Sequence, residues 1–369
     1  MTVYTATFLN HNYGSFLQAY ALQCAIRKNG AAPVVIQKKI PKDGKHRLIR
    51  WIHSYIPKKH YSFRQTVKLN LQKKRYKEKI NKLDQFQKKY LSVQCFENTS
   101  EIIRSMNQDD ILLAGSDQIW SMVNGPLSAW YTFQWPGLTK SVQRYSYAAS
   151  IGLGELSEQQ KAVYQQALKD FSVVSFREQQ ALHMLSSCLS VETRCDLDPT
   201  LLFDGEFWNT ITAPRLVSEP YIFIYMLRPD HSLIQLGQEL GKKMNCKVIY
   251  TGLLADRFVG VETICNAGIE EFLSYIKHAE AVITNSFHGT VFSILFEKRF
   301  ASKRLDSTSS RVENLLQMTG LTERFFEGSE DVFQMLSRNI DYTLPRQRLE
   351  AEREKSLAYL RSICSTSNS

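Results

Sequence analysis

The stretch that decides the fold is Ala281-Val282-Ile283-Thr284-Asn285-Ser286-Phe287-His288-Gly289-Thr290. A short apolar run with β character enters a polar turn, and an apolar helical pattern begins at Thr290. A strand that empties directly into a helix is the building unit of a parallel sheet covered by helices, and such sheets bind ligands beyond the carboxyl ends of their strands. Asn285 and Ser286 are N-cap types, Gly289 permits close backbone approach, and His288 places a titratable group on the same turn. The helix start also offers unpaired N–H groups to an anion. Ser286 acting only as a cap and His288 only as pocket filling is the bland alternative. It loses ground because cap, glycine and titratable group coincide where a ligand is expected.

Outward from this stretch the same alternation fills most of the chain. Strands are expected at 3–8, 33–37, 111–114, 145–150, 173–176 and 191–195, with helices at 15–29, 158–171 and 179–186. The segment 196–204 carries a proline and no clear period, and reads as a crossing between domains. The alternation then restarts, with strands at 221–226, 247–250, 281–284 and 299–302 and helices at 232–244, 269–278, 290–296 and 312–318. A last helix at 346–361 follows Pro345. The simplest architecture is two α/β domains in tandem, 1–197 and 204–343, with 344–369 as a C-terminal helix and tail that crosses back. A length of 369 residues suits two domains around a cleft.

Charge is unevenly distributed. Residues 38–89 hold 18 Lys or Arg against Asp43, Glu78 and Asp84, a surplus of +15 that leaves the rest of the chain at −5. A basic insertion at 38–90 on a mildly acidic body points to a localised anionic partner and argues against a nucleic-acid-binding domain. No helix-turn-helix, zinc knuckle or RNP-like pattern accompanies the charge. Leu48, Ile49, Trp51, Ile52, Tyr55 and Ile56 fall on one side of a helical pattern, with Arg47, Arg50 and His53 on the other, which suits an anionic membrane interface. The same stripe also suits packing against the domain, the commoner fate of an apolar face. Residues 72–90 read as a second, Lys-rich helix.

Apolar runs such as 221–227 fall far short of a membrane span. The first 14 residues lack a basic segment leading into an apolar core, so a cytoplasmic location is expected, with peripheral attachment to the inner face of the membrane through the basic insertion. The seven cysteines are odd in number and never spaced as C-x-x-C, which argues against disulfide staples and structural zinc.

Other strand ends carry further candidates. Arg177 closes a strand that runs into a helix, and Arg311 opens the helix after the next strand of the second half. Either could form a surface ion pair, with Glu178 or Glu313. As a pair they suit a ligand with two anionic groups, because the guanidinium fork reads carboxylate and phosphate bidentately. Asn12, Tyr13 and Gly14 follow the first strand without the G-x-G-x-x-G of a dinucleotide site. Asp117 and Gln118 follow another strand and suit a polyhydroxylated ligand. Zinc-protease, P-loop, α/β-hydrolase and paired-aspartate metal motifs are absent from the sequence, and no metal is expected.

The ordered set of motifs resembles the polysaccharide pyruvyltransferase family. It comprises Asn12-Tyr13-Gly14-Ser15-Phe16-Leu17-Gln18-Ala19-Tyr20-Ala21-Leu22-Gln23, Gly115-Ser116-Asp117-Gln118-Ile119-Trp120, Tyr147-Ala148-Ala149-Ser150-Ile151-Gly152, Ser175-Phe176-Arg177-Glu178, Asp198-Pro199-Thr200-Leu201-Leu202 and Thr284-Asn285-Ser286-Phe287-His288-Gly289. The ensemble is specific although no single motif is, and it covers about 4–321 apart from the basic insertion.

The resemblance implies two Rossmann-like domains arranged as in GT-B glycosyltransferases, with the acceptor on the first domain and the donor on the second. It implies phosphoenolpyruvate as co-substrate, no cofactor, and transfer of pyruvate as a cyclic ketal onto two hydroxyls of a sugar. The acceptor would be a cell-surface or capsular polysaccharide precursor, with a lipid-linked oligosaccharide as the expected carrier. The family's active-site histidine falls on His288, its strand-end arginine on Arg177 and a second basic residue on Arg311. The donor set is then Arg177, Asn285, Ser286, His288, Gly289 and Arg311, and the acceptor set Asn12, Tyr13, Gly14, Asp117, Gln118 and Tyr147. His288 would act as the acid, and Glu178 or Asp117 would take the acceptor's proton. The competing functions are a metal-independent GT-B glycosyltransferase that uses a nucleotide sugar and a non-catalytic glycan-binding relative.

Overall fold

The computed structural model describes residues 1–39, 63–123, 125–227, 230–252, 258–305, 310–328 and 332–365, with the backbone alone for 63–73. Two parallel sheets organise it. Strands β1 (Thr2–Ala6), β2 (Ala32–Lys38), β3 (Val93–Phe96), β4 (Ile111–Ala114), β5 (Arg144–Ser146), β6 (Val173–Phe176) and β7 (Glu192–Cys195) form the first, in the order β3-β2-β1-β4-β5-β6-β7. The second is built from β8 (Tyr221–Tyr225), β9 (Lys247–Thr251), β10 (Glu262–Ile264), β11 (Ala281–Thr284), β12 (Arg299–Lys303) and β13 (Phe325–Phe326), in the order β10-β9-β8-β11-β12-β13. The paired strands run parallel throughout.

Sequence explains this choice. All five residues of β8, Tyr-Ile-Phe-Ile-Tyr, are buried, as are all four of β11. Strands covered on both faces read as continuous apolar runs, and the connections between parallel strands must be crossovers. In each sheet the strand order reverses beside the first strand, so β1 adjoins β4 and β8 adjoins β11. The crevice beyond such a reversal is where doubly wound sheets take ligands. It lies at the loops after β1 and β4 in one domain, and after β8 and β11 in the other.

One apolar core fills the space between the sheets and joins the domains. Helix Tyr13–Lys28 contributes Phe16 and Tyr20, which both meet Phe86; Tyr20 also meets Trp208, which in turn packs on Phe292. Tyr13 stacks on Phe272 with ring centres 4.2 Å apart and donates its hydroxyl to the Ala267 carbonyl at 3.0 Å. The C-terminal helix, Thr343–Ser365, starts beside the second domain, where Tyr342 Oη donates to the Lys298 carbonyl at 2.6 Å. It ends on the first domain, where Tyr359 Oη donates to the Ser146 carbonyl at 2.9 Å. The crossing helix is therefore a strap between the two sheets.

Several features differ from the sequence reading, among them the strand expected at 145–150, which is confined to Arg144–Ser146. The helix after β11 spans Phe287–Leu295 and so starts three residues before 290, because Ser286 accepts from the Gly289 N–H and brings Phe287, His288 and Gly289 into the first turn. Strands β3, β10 and β13 were not expected; each is an edge strand of four residues or fewer, too short for a periodic signal. The Lys-rich helix is longer, Phe63–Tyr90, and packs firmly, with Tyr76, Lys79, Ile80, Leu83 and Phe86 buried. The amphipathic pattern at 48–56, with Trp51, Arg47 and Arg50, lies outside the described residues.

Candidate active site

His288 occupies the first turn of helix Phe287–Leu295 and is 8% exposed, at the carboxyl edge of β11. Its ring lies directly on the Cα of Gly14, in the first turn of helix Tyr13–Lys28 of the other domain. A methyl group there would fall 2.1 Å from His288 Nδ1, so only glycine fits. The other ring nitrogen, Nε2, faces Asp198 Oδ2 at 3.8 Å. Asp198 sits on the crossing segment, fully buried, and its Oδ1 is fixed by the Thr200 N–H at 2.9 Å and the Thr200 hydroxyl at 2.6 Å. Its Oδ2 pairs with Arg177 Nη1 at 3.1 Å.

Arg177 enters from the end of β6, also buried, with Nη2 on the Ser116 hydroxyl at 2.5 Å. Among the described residues its Nε and Nη1 find no hydrogen-bond acceptor of good geometry, and neither does His288 Nε2. Arg311 approaches from the second domain and has no ion pair among the described residues. The guanidinium carbons of Arg177 and Arg311 stand 5.6 and 5.7 Å from the ring centre of Phe287. The site therefore gathers an imidazole, two guanidinium groups and one buried carboxylate at the meeting of two switch points.

Its electrostatics follow from burial. Burial pulls the His288 pKa down, Asp198 pushes it back up and Arg177 adds to the depression, so the net shift is downward and the imidazole is neutral at pH 7. Burial pushes the Asp198 carboxyl up, but Arg177, His288 and the Thr200 hydrogen bonds outweigh it and hold the group below the usual carboxylate range. Arg311 is lowered by burial first and by Arg177 second. Two cations that oppose each other in one pocket call for an anion between them.

Glu178 is buried beside Arg177 and accepts from the Ser150 hydroxyl, with no hydrogen-bond partner for Oε2 among the described residues. Asp117 is half-buried at the end of β4, in a left-handed conformation at φ 77°, and its Oδ1 accepts from the Gln118 N–H. The charge of Asp117 acts on both His288 and Arg311. Gln118 packs by Gly152. Asn285 Oδ1 accepts from the Leu227 N–H at 3.0 Å and ties the β8 and β11 loops together. Gly289 packs against Thr284, and Asn12 caps its helix by accepting from the Ser15 N–H.

Tyr13 and Tyr147 stand apart from the rest. Both rings are buried, Tyr13 on Phe272 and Tyr147 facing Tyr359 of the strap at 6.3 Å. An aromatic beside a polar motif reads alike in sequence whether it stacks on a sugar or fills a core. Asp198 is the opposite case. The sequence reading noted its motif without a role, and the available signal was a carboxylate that precedes Pro-Thr at a domain crossing.

A family model described as polysaccharide pyruvyl transferase matches residues 12–306. No curated protein matches the chain. Among solved structures, a putative UDP-N-acetylglucosamine 2-epimerase from Listeria monocytogenes is similar over 98% of this chain and 96% of its own, at 10% identity and a TM-score of 0.54. Arabidopsis thaliana UGT89C1 complexed with UDP-L-rhamnose covers 98% and 99% at 11% identity and a TM-score of 0.52. The UDP-N-acetylglucosamine 2-epimerase from Rickettsia bellii covers 97% of each chain at 12% identity and a TM-score of 0.51. At such identities these three share the fold, two parallel α/β domains in a GT-B arrangement. With its matched region spanning both sheets and every residue gathered around His288 except Arg311, the chain belongs to the polysaccharide pyruvyl transferase family.

Proposed function

We propose that this protein transfers the pyruvyl group of phosphoenolpyruvate, as a cyclic ketal, onto two hydroxyls of one sugar in a cell-surface polysaccharide precursor. The observation that carries the reading is the pair Arg177 and Arg311, 5.6 and 5.7 Å from the Phe287 ring centre, beside the helix start at Ser286, with Arg177 Nε and His288 Nε2 lacking a hydrogen-bond partner among the described residues. Phosphoenolpyruvate presents a carboxylate and a phosphate, one for each cation, and the helix N-terminus adds N–H groups. Protonation of the methylene carbon creates an oxocarbenium-like centre that the first hydroxyl attacks. Phosphate leaves and the second hydroxyl closes the ketal, so each ketal releases one phosphate and the two hydroxyl protons balance the one added to carbon and the one on the leaving group. Preorganised cations at the departing phosphate supply a large share of such a rate enhancement.

His288 is the acid in this scheme. Neutral before the donor binds, it gains its proton as the two anionic groups of the donor raise its pKa, with Asp198 behind it to hold the charge. Glu178 and Asp117 remain the two candidates for the acceptor's proton. The fold equally accommodates a nucleotide-sugar donor, which calorimetry separates. Phosphoenolpyruvate should bind and a UDP-sugar should not, and Arg177→Ala or Arg311→Ala should each weaken the donor by ~2–5 kcal/mol. Tight UDP-sugar binding with no response to phosphoenolpyruvate sinks the proposal.

A further inference from the structure

Helix Phe63–Tyr90 leans on the second domain through two polar contacts. Glu78 accepts from Asn266 Nδ2 at 2.9 Å, and Lys82 pairs with Glu271 at 2.7 Å. Lys79, between them in sequence, is different. It is 4% exposed, and its Nζ stands 4.1 Å from the centre of the Tyr13 ring. Among the described residues its ammonium makes no hydrogen bond and no ion pair. The charged or titratable groups that face it are the Cys265 thiol and His11.

A buried ammonium with three unused donors is costly. A tyrosine face attracts the charge but accepts no hydrogen bond, so it does not stand in for an anion. Burial pulls the Lys79 pKa down to about 8, which still leaves the group charged at pH 7. Its neighbours locate it in the fold. His11 and Tyr13 follow the carboxyl end of β1, and Cys265 follows that of β10, so Lys79 lies along the ligand edge of both sheets. Tyr13 is also next in the chain to Gly14, on which the His288 ring rests.

We propose that Lys79 is an anion subsite on the flank of the cleft, and that it takes a phosphate group carried by the acceptor. Arg177, Arg311 and the helix start at Ser286 already match the donor's anions, so Lys79 is left for a second ligand. The anion site stands on geometry alone, whereas its assignment to the acceptor rests on the pyruvyl-transfer reading.

Inorganic pyrophosphate is the probe, titrated calorimetrically into the full chain. Wild type should show two classes of site. Lys79→Met should weaken one at least about tenfold, the scale of a lost charged hydrogen bond, and leave the other. Arg177→Ala combined with Arg311→Ala should remove the other class and leave the Lys79 class. Identical titrations of wild type and Lys79→Met overturn the subsite. Two classes persisting in the double arginine variant count against the donor reading and leave the subsite standing. Lys79→Met should melt at or above the wild-type temperature, because it removes an uncompensated buried charge. A melt several degrees lower marks Lys79 as a strut on Tyr13 and overturns the proposal. Phosphatidylglycerol vesicles distinguish a lipid headgroup: both proteins should bind them equally, and a loss confined to Lys79→Met overturns the assignment to an acceptor phosphate.

Discussion

His288 is a neutral imidazole because burial outweighs the Asp198 carboxylate, and the proposed donor would reverse that balance. Raising a depressed pKa by binding an anion takes up a proton in the window between the two pKa values, so donor affinity should fall as pH rises through that window. Titration of phosphoenolpyruvate in two buffers of different ionisation enthalpy reads this uptake. It should vanish in His288→Gln, which should keep most donor affinity and lose ~10²–10⁴-fold in turnover. Near-normal turnover in a folded His288→Gln protein removes it as the acid. Asp198→Asn should lower the His288 pKa further, since the carboxylate that opposes burial is gone. Histidine NMR titration checks this, and an upward shift would contradict the pairing at 3.8 Å.

At the level of elements, the site depends on two helix starts brought face to face, and Gly14 is the point of contact. Gly14→Ala adds helix propensity but places a methyl on the His288 ring. Turnover should fall by about 10²-fold, the usual cost of a small misplacement, while the far-ultraviolet signature of the helices stays. Wild-type kinetics in this variant would show that the ring has room to move. The sequence showed that a helix follows β1 and another follows β11, with Ser286 a capping type, but not that they start at Tyr13 and Phe287 or that the two starts meet. It showed β8 and β11 because buried parallel strands are unbroken apolar runs. The edge strands and the true start at Phe287 escaped notice because a two- to four-residue strand carries no period and a Phe-His-Gly first turn resembles a loop.

The described residues form two doubly wound sheets held by a shared apolar core and a strap helix, with His288 after β11 meeting Gly14 after β1 where the two switch points face each other. The two-domain order was legible from the alternation of strands and helices. Which aromatics would serve the core was not, because Tyr13 and Tyr147 are distinguished only by contacts distant in sequence, to Phe272 and Tyr359. Among the described residues no helix is long and apolar enough to cross a membrane. The +15 surplus at 38–89 motivates a peripheral role instead, at about 1 kcal/mol per cation near an anionic leaflet. A Trp51→Ala, Arg47→Glu, Arg50→Glu variant should co-sediment less with anionic vesicles at low salt, and equal sedimentation would leave the insertion a solvated face. The most direct test of the account is mass spectrometry of sugar acceptors from the protein's own source after incubation with phosphoenolpyruvate, alongside a phosphate assay. The account predicts a product heavier by one pyruvate less one water, with one phosphate released for each, and neither in His288→Gln. Transfer of a sugar from a nucleotide donor, with phosphoenolpyruvate left untouched, would contradict it.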